Sequence, residues 1–157
     1  MENTAQFRQM NSLMPFPQRL MIIEDDLTLS EVLANIFTDH GYHCGLATDA
    51  PEISAIEAFK PDLIIIDYHL PKVNGGEVCA ALKTNRLLAA VPIIVISAYS
   101  SIFLNLDGYE FDGFIEKPFS VAEIVTPVRN LLHQKQIQGK RANKMPFYLK
   151  PWQTDFH

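Results

Sequence analysis

Residues 63–76 read Leu-Ile-Ile-Ile-Asp-Tyr-His-Leu-Pro-Lys-Val-Asn-Gly-Gly, and this stretch narrows the fold more than any other. Four apolar residues in a row, three of them β-branched, predict a strand covered on both faces, because a half-exposed strand would alternate apolar with polar. Such strands belong to parallel sheets layered between helices. The run ends in Asp67, a carboxylate at the end of the strand where open parallel sheets bind their ligands. Pro71 and Gly75-Gly76 turn the chain, and Val78, Cys79 and Leu82 then follow at helical spacing.

The same pattern recurs on either side. Leu20–Ile23 and Ile93–Ile96 are further short, β-branched-rich blocks, and Cys44–Ala47 and Gly113–Ile115 are weaker ones. Leu29, Val32, Leu33, Ile36 and Phe37 share one helical face, with Thr28 and Glu31 spaced as a capping box and Gly41 placed to close the helix. A second helix is expected from Asp49 to Phe59, with Asp49 and Glu52 as a capping pair, Pro51 in its first turn and Lys60-Pro61 as its stop. A short fourth helix is expected over Ser100–Leu106. A fifth starts at Ser120, boxed by Glu123, and carries Ile124, Val128, Leu131 and Leu132, with Pro127 inside it as a bend. Alternating strands and helices predict a doubly wound, five-stranded parallel sheet flanked by five helices over residues 19–133. Residues 1–18 form an N-terminal extension and 134–157 a C-terminal tail.

Composition excludes several classes. No apolar run approaches the roughly 18 residues of a membrane span, and no secretory signal opens the chain. Cys44 and Cys79 lie 35 residues apart, which predicts two buried free thiols and a cytoplasmic protein. Residues 1–133 hold 8 Lys/Arg against 17 Asp/Glu, a net charge of −9 that does not suit direct nucleic-acid binding. The tail reverses the sign, with five basic residues, one acidic and a net charge of +4. It also carries Phe147, Tyr148, Trp152 and Phe156, and exposed rings gain by burial. The Phe147–Trp152 segment is therefore expected to pack against a surface, either the fourth-helix region with its Ile102, Phe103, Leu104 and Leu106, or a second subunit in a homodimer.

The chemistry-bearing residues fall at strand ends. Glu24-Asp25-Asp26 follows the first block, Asp67 the third, Ser97 the fourth and Lys117-Pro118 the fifth, so one edge of the sheet gathers them all. Carboxylates massed together invite a cation, and Mg²⁺ binds through one or two carboxylates plus phosphate oxygens. Phosphoryl transfer needs a nucleophile, a metal and donors for the equatorial oxygens. Asp67 can be the nucleophile, Asp25 and Asp67 the metal ligands, Ser97 a hydroxyl donor and Lys117 a cationic one. Alone, Asp67 would be an N-cap or turn aspartate and Lys117 a solvated lysine; together they have a use. The absence of G-x-G-x-x-G after the first strand excludes a dinucleotide-binding domain.

Asp67-Tyr68-His69-Leu70-Pro71-Lys72-Val73-Asn74-Gly75 resembles the D-x-x-[LM]-P-x-x-x-G signature of the receiver domains of two-component response regulators. Ser97-Ala98, 30 residues after Asp67, resembles their [ST]-A pair, and Glu116-Lys117-Pro118-Phe119 their K-P-F segment. The resemblance implies the flavodoxin-like receiver fold and a phosphorelay switch of the single-domain chemotaxis type. It implies phosphorylation of Asp67 by a histidine kinase or phosphotransfer protein, and a slow intrinsic loss of the phosphoryl group. It also implies direct Mg²⁺ binding by Asp25 and Asp67, a water-mediated role for Glu24, a ligand in the backbone carbonyl of His69, and a phosphate partner in Lys117. Ser97 and Phe114 would form the conformational switch, Phe114 reading equally well as plain core. His69 and Tyr99 would control water access, and output would pass to a protein target. A phosphorylation-independent adaptor and a haloacid-dehalogenase-type phosphohydrolase are the alternatives. The first is opposed by the complete residue set, the second by His69 standing where a second acid is needed.

Overall fold

β-Branched runs settle into strands where both of their faces can be covered, and the sheet is built around three of them. The computed structural model describes residues 16–100, 108–138 and 147–149, with backbone alone for the last three and for Gln138. The strands are β1 (Arg19–Ile23), β2 (His43–Ala47), β3 (Leu63–Asp67), β4 (Ile93–Ser97) and β5 (Gly113–Glu116), followed by a short β6 (Phe147–Leu149). All pairings are parallel, in the order β2-β1-β3-β4-β5-β6. Every residue of β3 and β4 is buried. Alternate residues divide between two cores, as the two-residue period of a strand requires. Ile64 and Ile66 join Ile56, Val78 and Leu82 on one face, whereas Leu63 and Ile65 join Leu33, Phe37, Ile124 and Val128 on the other.

The helices are α1 (Leu27–Asp39), α2 (Ile53–Phe59), α3 (Gly75–Thr84) and α4 (Val121–Gln138). Helices α2 and α3 cover the first face, and α1 and α4 the second. This is the expected doubly wound sheet, with its five strands extended at the β5 edge by β6. Burying each large aliphatic side chain in these layers contributes about 1.5–3 kcal/mol.

Local signals held at some ends and failed at others. Ser120 and Glu123 form the reciprocal capping box at the start of α4, with Ser120 N–H donating to Glu123 Oε2 at 2.7 Å and Glu123 N–H to Ser120 Oγ at 3.2 Å. Gly41, at φ 89°, closes α1, with Tyr42 N–H donating to Phe37 O and Gly41 N–H to Thr38 O. The cap at the start of α1 is Asp26, whose side chain accepts from Leu29 N–H, and not the Thr28–Glu31 pair. Val32, expected on the buried face of α1, is exposed. Helix α2 begins at Ile53, four residues after the expected start, because Asp49 spends its carboxylate on Ala50 N–H and Glu52 makes no side-chain cap. It ends at Lys60 in the left-handed conformation, φ 55°. Helix α4 continues through Pro127 to Gln138, beyond the boundary expected at residue 133. Cys79 is buried, but Cys44 is only half-buried, because it sits on the outer strand β2; both are free. The expected fourth helix over Ser100–Leu106, with its apolar Ile102, Phe103, Leu104 and Leu106, and most of the N-terminal extension lie outside the described residues. Among the described residues no helix is long and apolar enough to cross a membrane.

Candidate phosphoryl-transfer site

Parallel strands put all their C-terminal ends on one edge, so the sheet itself assembles the site. The chain leaves β1 toward β2 on one side and β3 lies on the other, which makes the β1–β3 boundary a topological switch point. Glu24 and Asp25 follow β1 there, and Asp67 closes β3. A carboxylate oxygen from each of Glu24, Asp25 and Asp67 lies within 4.8 Å of the others. Asp25 is exposed, whereas Glu24 and Asp67 are buried. This oxygen-only donor set with one solvent-facing member suits a hard, partly hydrated divalent cation such as Mg²⁺.

Lys117 directly follows β5, is joined to Pro118 by a cis peptide bond, and reaches back into this cluster. Its ammonium donates to Glu24 Oε2 at 2.8 Å and lies 3.4 Å from Asp67 Oδ2. Burial raises the pKa of Glu24 to about 7, against the pull of Lys117 and of the Asp26 N–H, which donates to Oε1. Burial also works against the charge on Lys117, but the hydrogen bond to Glu24 and the charge of Asp67 outweigh it and raise its pKa. Lys117 thus stays an ammonium beside two acids.

The loop after β3 is shaped by close approach. A β-carbon on Gly75 would stand 2.7 Å from Asp67 O and 2.9 Å from Tyr68 Cα, which only glycine avoids. Gly75 N–H donates to Tyr68 O at 2.7 Å, and Asn74 caps α3 by accepting from Glu77 N–H at 2.9 Å. The backbone N–H of His69 donates to Asp67 Oδ1 at 3.3 Å. The His69 ring stands edge-on to Tyr99, with centroids 5.2 Å apart, so two exposed side chains form a rim near Asp67.

Ser97 is buried, and its Oγ accepts from Tyr99 N–H at 3.1 Å. Phe114 is buried in the core with Val95 and Phe111. Asp26, the third acid of the run, is occupied as the α1 cap and stands outside the cluster. Glu116, which has no role of its own in the K-P-F segment, is buried. A charged residue between Ile115 and Lys117 near a strand end gives no sequence signal for that burial.

Comparisons with known proteins agree with this fold. Residues 20–129 match the response regulator receiver domain. The DNA-binding dual master transcriptional regulator RpaA of Synechocystis is 33% identical over 119 residues, covering 74% of this chain and 49% of its own length. The chain thus spans about half the length of the curated relatives it matches. Among solved structures, the signal receiver domain of a signal transduction histidine kinase from Syntrophus aciditrophicus superposes with TM-score 0.70 at 25% identity, covering 83% of this chain and 99% of that one. TrrA of Thermotoga maritima, solved in complex with Mg²⁺–BeF, has the same fold, with TM-score 0.66 at 24% identity over 73% of this chain and 98% of that one. A doubly wound sheet with an acidic cluster and a lysine at its C-terminal edge defines the receiver class of signalling switch. The chain belongs to the response regulator receiver domain family.

Proposed function

We propose that Asp67 is the phosphoacceptor of this receiver and that Asp25, Asp67 and the His69 carbonyl hold Mg²⁺, with Glu24 acting on it through water. The observation that carries the reading is the contact of Lys117 with both Glu24 and Asp67 at the mouth of the acidic cluster. A carboxylate oxygen of Asp67 attacks phosphorus; the new P–O bond forms as the bond to the donor's imidazole nitrogen, or to the acetate oxygen of acetyl phosphate, breaks. Lys117 offers its ammonium to the phosphoryl oxygens. Bound Mg²⁺ supplies neutralisation of the charge that develops on those oxygens. Water later attacks the acyl phosphate, releasing inorganic phosphate and restoring the carboxylate.

Ser97 supplies its hydroxyl to a phosphoryl oxygen after releasing Tyr99 N–H, and Phe114 follows by turning in the core. This population shift between two packings is the output signal. The donor is a histidine kinase or a phosphotransfer protein, and the location is cytoplasmic. RpaA is described as DNA-binding, whereas the net charge of −9 over residues 1–133 supports output from this domain to a protein target. The decisive experiment is phosphorylation with acetyl phosphate and Mg²⁺. Wild type gains one base-labile phosphoryl group and Asp67→Asn gains none; equal labelling of the two removes Asp67 from the role.

A further inference from the structure

Among the described residues, one buried side-chain oxygen has no hydrogen-bond partner, Oε2 of Glu116. Glu116 closes β5 and is only 7% exposed. Lys117, the next residue, does not serve it, because that ammonium is held by Glu24 and Asp67. A carboxylate oxygen withdrawn from water without a donor raises the energy of the packing that contains it. A second packing that supplies a donor is favoured accordingly.

The sheet register brings a donor close. Ser97 is the register partner of Glu116, and Val95 that of Phe114. Val95 and Phe114 lie in one core, so the side chains of Ser97 and Glu116, two residues further along each strand, leave the sheet on that same face. Lys117 N–H donates to Ser97 O at 2.7 Å, which fixes the two strand ends side by side. The wholly buried hydroxyl of Ser97 is occupied by the loop that follows it, Oγ accepting from Tyr99 N–H at 3.1 Å. A backbone donor and an unsatisfied acceptor thus border the same serine.

We propose that Glu116 is a positioning residue of the switch: when Ser97 turns its hydroxyl to a phosphoryl oxygen, the freed Tyr99 N–H donates to Glu116 Oε2 and the loop after β4 is held in its second position. The assignment rests on the reading of Ser97 as a phosphoryl donor. In the resting packing Tyr99 N–H has Ser97, and Glu116 Oε2 has no partner. In the switched packing Ser97 has the phosphoryl group, and Tyr99 N–H has Glu116. Without this acceptor the movement would strand a backbone N–H. With it, the switched packing gains a bond to a charged group and loses the orphan oxygen. Glu116 also stands two residues beyond Phe114 on one face, so a loop drawn to it settles beside the ring assigned to the switch.

The test uses the full chain, with beryllofluoride and Mg²⁺ as the phosphoryl analogue. Glu116→Leu removes the orphan oxygen from the resting packing and the acceptor from the switched one. It should melt no lower than wild type without the analogue, yet bind beryllofluoride on the order of tenfold more weakly, the scale of a lost hydrogen bond to a charged group. Glu116→Gln keeps a neutral acceptor and should fall between. Wild-type affinity in both variants overturns the proposal. So does a loss of affinity matched by a lower Tm in both, which a merely structural residue would give. In NMR spectra of the wild type the Tyr99 amide proton should move downfield on adding beryllofluoride, and Glu116→Gln should reduce the movement; equal movement overturns the pairing. In Tyr99→Pro, which has no N–H to give, adding Glu116→Leu should weaken binding no further. A full further loss assigns the effect to another donor and overturns the role of Tyr99. Ser97→Ala separates the two readings. Unchanged affinity there removes Ser97 from the phosphoryl group and the proposal with it, whereas weakened binding in Ser97→Ala with none in Glu116→Leu removes the proposal alone.

Discussion

The ammonium of Lys117 donates at 2.8 Å to a Glu24 carboxylate that is wholly withdrawn from solvent, joining residues 93 apart in sequence. The pair ties the end of β1 to the end of β5 across β3 and β4. Its energetics are unequal. Lys117 is held in its charged form, whereas Glu24 gains and loses its proton near neutrality.

The pH dependence follows from the raised pKa of Glu24. Its folded value, about 7, lies above the ordinary 4.5, so the folded state holds this proton more tightly than the unfolded chain. The stability contributed by that proton is fully present below the ordinary value and is lost as pH rises through about 7. A divalent cation offsets the charge that remains. The rise in Tm on adding Mg²⁺ should therefore be larger at pH values above the Glu24 transition than below it, and Glu24→Gln should flatten the difference. Melting curves at two pH values, with and without Mg²⁺, check this; a larger rise on the acid side would contradict it.

Asp25 and Asp26 are neighbours with separable tasks. Asp26 caps α1, and Asp26→Ala should lower stability by about 1 kcal/mol while leaving Mg²⁺ affinity nearly unchanged. Asp25 is exposed within the acidic cluster, so Asp25→Ala should leave the metal-free protein as stable or more so. It should weaken Mg²⁺ binding by at least roughly tenfold, since even outer partners of a metal site are worth that much. Denaturant titration and Mg²⁺ titration read the two effects separately; the reverse pattern would shift the acidic register by one residue.

What the sequence made legible follows from burial. β3 and β4 were plain because both faces are covered, so their apolar runs have no polar interruptions. The site residues were plain because a parallel sheet sends every strand end to one edge. The α2 start was misread because Asp49 and Glu52 have capping-box spacing, although the residue before Pro51 is biased away from helix. At α1 two N-cap candidates stand two residues apart, and Asp26 rather than Thr28 caps the helix by accepting from Leu29 N–H. The burial of Glu116 and the packing at Gly75 depend on contacts distant along the chain or on backbone approach, which spacing does not encode.

Gly75→Ala should damage the site more than the fold. The added carbon would press on Asp67 O and Tyr68 Cα, both backbone and neither able to rotate away. Overpacking of this kind lowers stability by about 1–3 kcal/mol. The displaced group is the backbone of the proposed phosphoacceptor, Asp67, so acetyl-phosphate labelling should slow markedly at temperatures where circular dichroism still reports a folded protein. Labelling at the wild-type rate would show that the loop absorbs the methyl group elsewhere.

The lifetime of the phosphoryl group should depend on the rim formed by His69 and Tyr99. The two rings meet edge-on at 5.2 Å, and Tyr68 adds a second edge-on contact to His69 at 5.3 Å. Side chains standing over the loop that follows Asp67 hinder the approach of water to phosphorus. Replacing His69 or Tyr99 by alanine should each speed loss of the label after excess acetyl phosphate is removed. Because the rings contact one another, the effects should be coupled: once one ring is gone the other is freer to move, and the double variant should gain less than the product of the single effects. Initial labelling should persist in all three variants, since Asp67, Asp25 and Lys117 are untouched. Loss of label at the wild-type rate in the double variant would mean that water reaches the acyl phosphate by another path.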